Sequence, residues 1–144
     1  LSRLHRRLYD PAAYEGGLAP ILGEVLAETF RSVTVEMRMQ IDSDNLSVGQ
    51  MTTIVLLVNE AAINAAKHVF APQRGGRFTV TLAADGRRRM LTVADDGPGF
   101  QVADGAPASP RYGLAVMRGL AAQLGGALEV SDQKGATIRV AFTS

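Results

Sequence analysis

The chain contains no cysteine, so disulfides, zinc–thiolate sites and cysteine nucleophiles are excluded together. An absence of thiols also fits a reducing compartment. No apolar run approaches the roughly 20 residues that a membrane-spanning helix requires, and no signal peptide is recognisable. An excess of one charge is missing too: 15 Lys and Arg stand against 14 Asp and Glu, a net charge of +1. That leaves neither a nucleic-acid footprint nor a polybasic membrane surface. Histidine is scarce, with only His5 and His68. Internal repeats and interdomain linkers are not seen. What is there, 144 residues of which 47% are hydrophobic and 20% charged, describes one globular domain of ordinary soluble type with a real core. The chain opens at Leu1 on a basic stretch, "LSRLHRRLYDP", which suggests a piece of something longer. Residues 1–11 are read as the tail of a preceding segment and residues 12–144 as the domain itself.

Periodicity then orders the elements. In "YEGGLAPILGEVLAETFRS" the spacing of Leu18, Ile21, Leu22, Val25, Leu26 and Phe30 predicts a helix, with Pro20 as its awkward member. "VTVEMRMQI" alternates from Val33 to Ile41 and predicts a half-buried strand with Met37 and Met39 on its apolar side. Asp42 to Ser47 is a polar turn ending in a candidate N-cap, Ser47, and a long helix follows from about Val48 to Val69. "RFTVTLAAD" and "RRMLTVAD" predict two strands joined by a hairpin turn at "ADGRR". "PGFQVADGAPASP" is loop, and "YGLAVMRGLAAQLGG" is a helix closed by Gly125 and Gly126. "ALEVSDQ" and "ATIRVAF" form a last hairpin. Met51, Met90 and Met117 read as core filler. Consecutive hairpins among helices point to an α+β fold, a two-layer sandwich whose mixed sheet carries its helices on one face.

Four segments carry possible chemistry. On the long helix, Met51, Ile54, Val55, Val58, Ala61, Ala62, Ala65 and Val69 share one apolar face, while Thr53 and the stripe Glu60, Asn64, Lys67, His68 lie opposite. Alone, that stripe is an ordinary solvated face, although Asn is a poor residue for a helix interior. In "LTVADDGPGF" a strand runs into Asp95, with Gly97 and Gly99 two and four residues on. Such a carboxylate can form a pocket floor beside backbone free of Cβ atoms, yet the same residues would make a plain turn. "RYGLAVM" places Gly113 and Leu114 at a helix start, where N–H groups and the helix dipole suit phosphate. "KGATIRV" sets a glycine before a strand bearing Thr137, a pattern that a hairpin alone would explain.

Taken in this order and spacing, the four segments resemble the ATP-binding domain of the superfamily that includes gyrase, the heat-shock chaperone ATPase, sensor histidine kinases and MutL. "NEAAINAAKH" resembles its N-box, and "DDGPG", "YGLAVM" and "GAT" its three glycine boxes; the "KH" ending is most similar to nitrate-sensor-like histidine kinases. The resemblance implies a Bergerat-type ATP-binding fold over nearly the whole chain, with ATP and Mg²⁺ as cofactors. It implies that Asp95 accepts from the adenine 6-amino group, with Thr137 near the same edge through water. Asn64 would ligate Mg²⁺, Lys67 and His68 would neutralise phosphate oxygens, and Glu60 would orient or deprotonate the attacking group, the catalytic role. Gly97, Gly99, Arg111, Gly113 and Leu114 would line the nucleotide, and the loop between Gly99 and Tyr112 would be a mobile lid. Arg111 stands where the second glycine box often has Gly, which makes one side of the phosphate cradle bulkier.

The resemblance further implies a two-component histidine kinase that delivers the ATP γ-phosphoryl to a His on a separate dimerisation domain, then to a response regulator. His68 belongs to the N-box and His5 to the leader, so the acceptor His lies elsewhere in the parent. Residues 1–11 would end a dimerisation or linker helix. A cytoplasmic module of a homodimeric parent follows from the same likeness, whether or not that parent is membrane-anchored, with no nucleic-acid partner and no direct membrane contact. A hydrolysing ATPase, an anti-sigma-factor-type serine kinase and a degenerate scaffold without ATP stay open as other readings of the same motifs.

Overall fold

The computed structural model of the chain describes residues 6–68, 76–96, 114–131 and 135–144. Three helices, α1 (Leu18–Thr29), α2 (Val48–His68) and α3 (Leu114–Gln123), cover one face of a sheet of five strands. The strands are β1 (Val35–Ile41), β2 (Gly76–Asp85), β3 (Arg88–Asp95), β4 (Leu128–Ser131) and β5 (Thr137–Thr143). Their spatial order is β1-β2-β3-β5-β4, with β1 parallel to β2 and every other pairing antiparallel. This is the α+β two-layer sandwich with a mixed sheet that the hairpin pattern predicts. No helix among the described residues is long and apolar enough to cross a membrane.

The core lies between the layers. Phe78, Val80 and Leu82 of β2, Leu91 and Val93 of β3, and Ile138, Val140 and Phe142 of β5 alternate inward. They meet Leu18, Ile21, Leu22, Val25 and Leu26 of α1 and Ile54, Val55, Leu57 and Val58 of α2. Phe30 packs edge-on against Phe78 with ring centroids 5.1 Å apart. Thr79, Thr81 and Thr92 face the other way, onto the uncovered side of the sheet, and are half-buried.

Local chemistry fixes each helix end. Ser47 Oγ accepts from the Gln50 N–H at 3.0 Å while Gln50 Oε1 accepts from the Ser47 N–H at 3.0 Å, a reciprocal capping box that confirms Ser47 as the N-cap of α2. The C-terminus of α3 closes as a Schellman motif: the Gly126 N–H donates to Ala121 O at 3.0 Å and the Gly125 N–H to Ala122 O at 2.9 Å. Gly125 supplies the left-handed φ of +87°. Pro20 is harmless because it falls in the first turn of α1, where no intrahelical partner for its missing N–H is required. The chain enters through a docked segment. Leu8 is buried, its carbonyl accepts from Tyr14 Oη at 2.7 Å and Thr52 Oγ1 at 3.3 Å, and Arg7 pairs with Glu24.

Several expectations need correction. β1 starts at Val35 rather than Val33, and Met37 and Met39 are 37% and 36% exposed rather than core, because β1 is an edge strand that α1 covers only in part. Met90 is 39% exposed and Arg89 is buried. The alternation that turns Leu91 and Val93 inward also turns Arg89 inward, and its guanidinium donates to Gly86 O at 2.6 Å and Asp44 O at 3.0 Å. Met51 and Met117 are core, as expected. Val69 lies outside the described residues.

Candidate functional site

Topology gathers the separate motifs at one end of the sandwich. Because β1 and β2 run parallel, with Val35 opposite Gly76, the crossover helix α2 must run back toward the starts of both strands. Its last turns, with Asn64, Lys67 and His68, therefore lie at that end. Phe78, near the start of β2, pairs with Asp95 at the end of β3, and β5 begins there too, with Thr137 opposite Ala94. α3 finishes at the far end, where Gly126 meets Ala141, so its start at Leu114 returns to the Asp95 end. Strand order and helix direction thus place Asn64, Asp95, Leu114 and Thr137 at one end of the sandwich.

The α2 stripe is graded in depth. Glu60 is half-buried, Asn64 is 9% exposed and Lys67 is exposed; His68 is the final helical residue. The solvated-face reading holds for Lys67 and fails for Asn64, which with Arg89 forms the buried polar set among the described residues. A residue missed in the sequence fixes the helix beside this stripe: Thr29 Oγ1 donates to Asn59 Oδ1 at 2.6 Å, tying the end of α1 to the residue before Glu60. Asn59 is half-buried, and an Asn inside a helical run was the signal the sequence offered for it.

Two adjacent carboxylates end β3 and have different duties. Asp96 Oδ1 accepts from the Arg77 N–H at 3.0 Å and is committed to joining β2 to β3. Asp95 is half-buried; its N–H donates to Ala136 O at 2.9 Å, and its Oδ1 accepts from the Ala136 N–H at 3.2 Å. The residue against the Asp95 carboxylate is thus Ala136. Thr137 is one step along, and with Ile138 and Val140 turned into the core, alternation sets it on the opposite face with Ala94. Leu114 opens α3, half-buried, above Met117 and Ala121, which pack inward. Gly97, Gly99, Arg111, Gly113 and the expected lid between Gly99 and Tyr112 lie outside the described residues.

The donor set suits an adenine nucleotide with a hard cation. A carboxylate anchored at a strand end can accept from an amino group, a helix start suits phosphate, and an amide oxygen is of the type that can ligate Mg²⁺. Among the described residues no three His, Asp or Glu side chains converge to cage a metal. A depression of about 430 Å³ lined by Ala83, Arg88, Met90 and Ala141 lies at the opposite, hairpin end and brings none of these groups together.

Residues 49–144 match the family described as histidine kinase-, DNA gyrase B-, and HSP90-like ATPase. The sensor histidine kinase LiaS of Bacillus subtilis is 32% identical over 133 residues, 92% of this chain and 34% of that protein. The signal transduction histidine-protein kinase/phosphatase UhpB of Salmonella typhimurium is 30% identical over 146 residues, 99% of this chain and 27% of its own length. The chain therefore spans about a third or less of the curated relatives it matches. Among solved structures, the blue-light activated histidine kinase EL346 of Erythrobacter litoralis shares the fold with a TM-score of 0.74 at 22% identity, over 97% of this chain and 46% of that one. Full-length ShkA in complex with AMPPNP gives 0.60 at 26% identity, over 88% of this chain and 30% of that one.

Proposed function

Since the chain belongs to the histidine kinase-, DNA gyrase B- and HSP90-like ATPase family, we propose that it is the ATP-binding catalytic domain of a two-component sensor histidine kinase. In this reading it delivers the γ-phosphoryl of ATP to a His on a separate dimerisation domain, for relay to a response regulator. The observation that carries it is the convergence of the graded α2 stripe, the Asp95 strand end and the start of α3 at one end of the sheet. Both relatives are named as histidine kinases, which favours this reading over a serine kinase or a scaffold.

Each residue then has a task. Asp95 receives the adenine amino group, and a carboxylate there disfavours a base that presents a carbonyl at the same position. Asn64 gives its amide oxygen to the cation, Lys67 and His68 meet phosphate oxygens, and the N–H groups at Leu114, with Gly97, Gly99, Arg111 and Gly113, enclose the phosphates. Thr137 stands one residue beyond Ala136 and reaches the base through water. Glu60 orients the attacking imidazole or accepts its proton. Mg²⁺, when bound, neutralises the charge of the phosphates. Phosphoryl transfer requires positioning and charge neutralisation above all, which is what these side chains provide. In the same reading residues 1–11 belong to the end of a preceding dimerisation or linker segment, of which Leu8 is buried against the domain, and the parent is a homodimer whose catalytic module is cytoplasmic.

Calorimetric titration of ATP with Mg²⁺ tests the reading. Saturable binding to the wild-type chain, lost in Asp95→Asn, is expected; a wild-type chain that takes up no ATP sinks the active-kinase reading.

A further inference from the structure

We infer that Gly135 and Ala136 are the positioning residues of Asp95 and set the discrimination between a 6-amino and a 6-oxo purine, an inference that rests on the nucleotide reading above. Ala136 grips Asp95 twice: its carbonyl accepts the Asp95 N–H at 2.9 Å and its own N–H donates to Asp95 Oδ1 at 3.2 Å. The second bond fixes the direction of the carboxylate with a backbone donor on the residue just before β5, and a backbone donor has no rotamer by which to swing away. On the other side, Arg77 N–H holds Asp96 Oδ1 at 3.0 Å, so the end of β3 is fastened to both neighbouring strands.

Gly135 makes that grip possible. Its φ is +109°, and a Cβ there would stand 2.1 Å from Asp95 O, 2.9 Å from Asp95 C and 3.0 Å from Asp96 Cα. These are backbone atoms and have no rotamer by which to yield. Gly86 and Gly125 also have positive φ, +63° and +87°, yet nothing lies within 4 Å of a Cβ at either. A turn alone would ask of Gly135 only what it asks of those two. The close approach is the additional requirement, and it is made against the residue proposed to accept the amino group of the base. An acceptor fixed in place distinguishes an amino group from a carbonyl, whereas an acceptor free to move accommodates both.

The test compares the affinities of ATP and inosine triphosphate, which differ at the 6-position of the base, in Mg²⁺ for wild type, Gly135→Ala, Ala136→Pro and Gly86→Ala. Ala136→Pro removes the N–H donor and keeps the carbonyl, so it decides the matter should Gly135→Ala fail to fold by circular dichroism. The wild type is expected to prefer ATP. Gly135→Ala and Ala136→Pro should weaken ATP at least about tenfold and inosine triphosphate less than about threefold, while Gly86→Ala leaves the ratio unchanged. Equal losses for the two nucleotides, or none, in a wild-type background that discriminates would overturn the inference and leave the kinase reading standing. A wild-type chain that binds neither nucleotide removes both.

Discussion

Asn64 and Lys67 sit three residues apart on one helix, yet the first is 9% exposed and the second open to solvent. A buried amide tolerates a neutral role such as a single cation ligand, and an exposed ammonium suits contact with phosphate oxygens. Accordingly, the wild-type chain should bind ATP more tightly in Mg²⁺ than in EDTA, and in Asn64→Ala the two affinities should become equal; a cation effect that persists in the variant would remove Asn64 from the site. Tyr14 is a second residue whose depth has a measurable outcome. Burial pushes its phenol above the ordinary value near 10, opposed by the Thr52 hydroxyl and assisted by Tyr9. The unfolded phenol ionises first, so the stability that Tyr14 confers is complete below pH 10 and declines as the pH rises through the window up to its raised folded value. Tyr14→Phe, which loses the donor to Leu8 O, should cost about 1 kcal/mol in urea unfolding at neutral pH, and should flatten the alkaline decline. The sequence announced Asp95 by its glycines, but nothing in it said that Asp96 would be occupied by Arg77, or that Ala136 rather than Thr137 would meet the carboxylate. Those assignments depend on strand register, which a single strand does not contain.

Elements were more legible than residues because helix periodicity and end signals are local. The Ser47 cap appears as read, and so does most of the apolar face of α2, with Met51, Ile54, Val55, Val58, Ala62 and Ala65 buried and Leu57 joining them; replacing Ser47 with Ala should lower thermal stability by about 1 kcal/mol through loss of the bond to Gln50 N. At the other kind of helix end, Gly125→Ala puts a Cβ into open space but into a left-handed conformation at φ +87°. A cost of about 1 kcal/mol is expected there, visible in the melting temperature without any change in ATP affinity. The burial of β1 was not legible. Its alternation is real, but whether the inward face is covered depends on β1 being at the edge of the sheet. Likewise the turn at Gly86 was readable, while the inward direction of Arg89 required knowing that Asp44 O lies within reach.

For the whole molecule, the expectation is a module that handles ATP without holding its own acceptor. Incubation of this chain alone with γ-labelled ATP should leave the protein unlabelled, and addition of the dimerisation domain of its parent should produce an acid-labile label on that domain; labelling of His68 in the chain by itself would contradict the assignment. The order β1-β2-β3-β5-β4 has a further consequence, one of timing. β5 is the last strand in sequence but an interior one in space, and β4 has no other described partner. During synthesis, β3 therefore presents a bare edge, and β4 an unattached ribbon, until residues 137–143 have left the ribosome. The strand that closes the sheet is also the one that follows Ala136, so the floor beneath Asp95 is assembled at the same moment as the interior. A nascent chain halted just short of β5 would be both blind to the base and open to pairing with its neighbours.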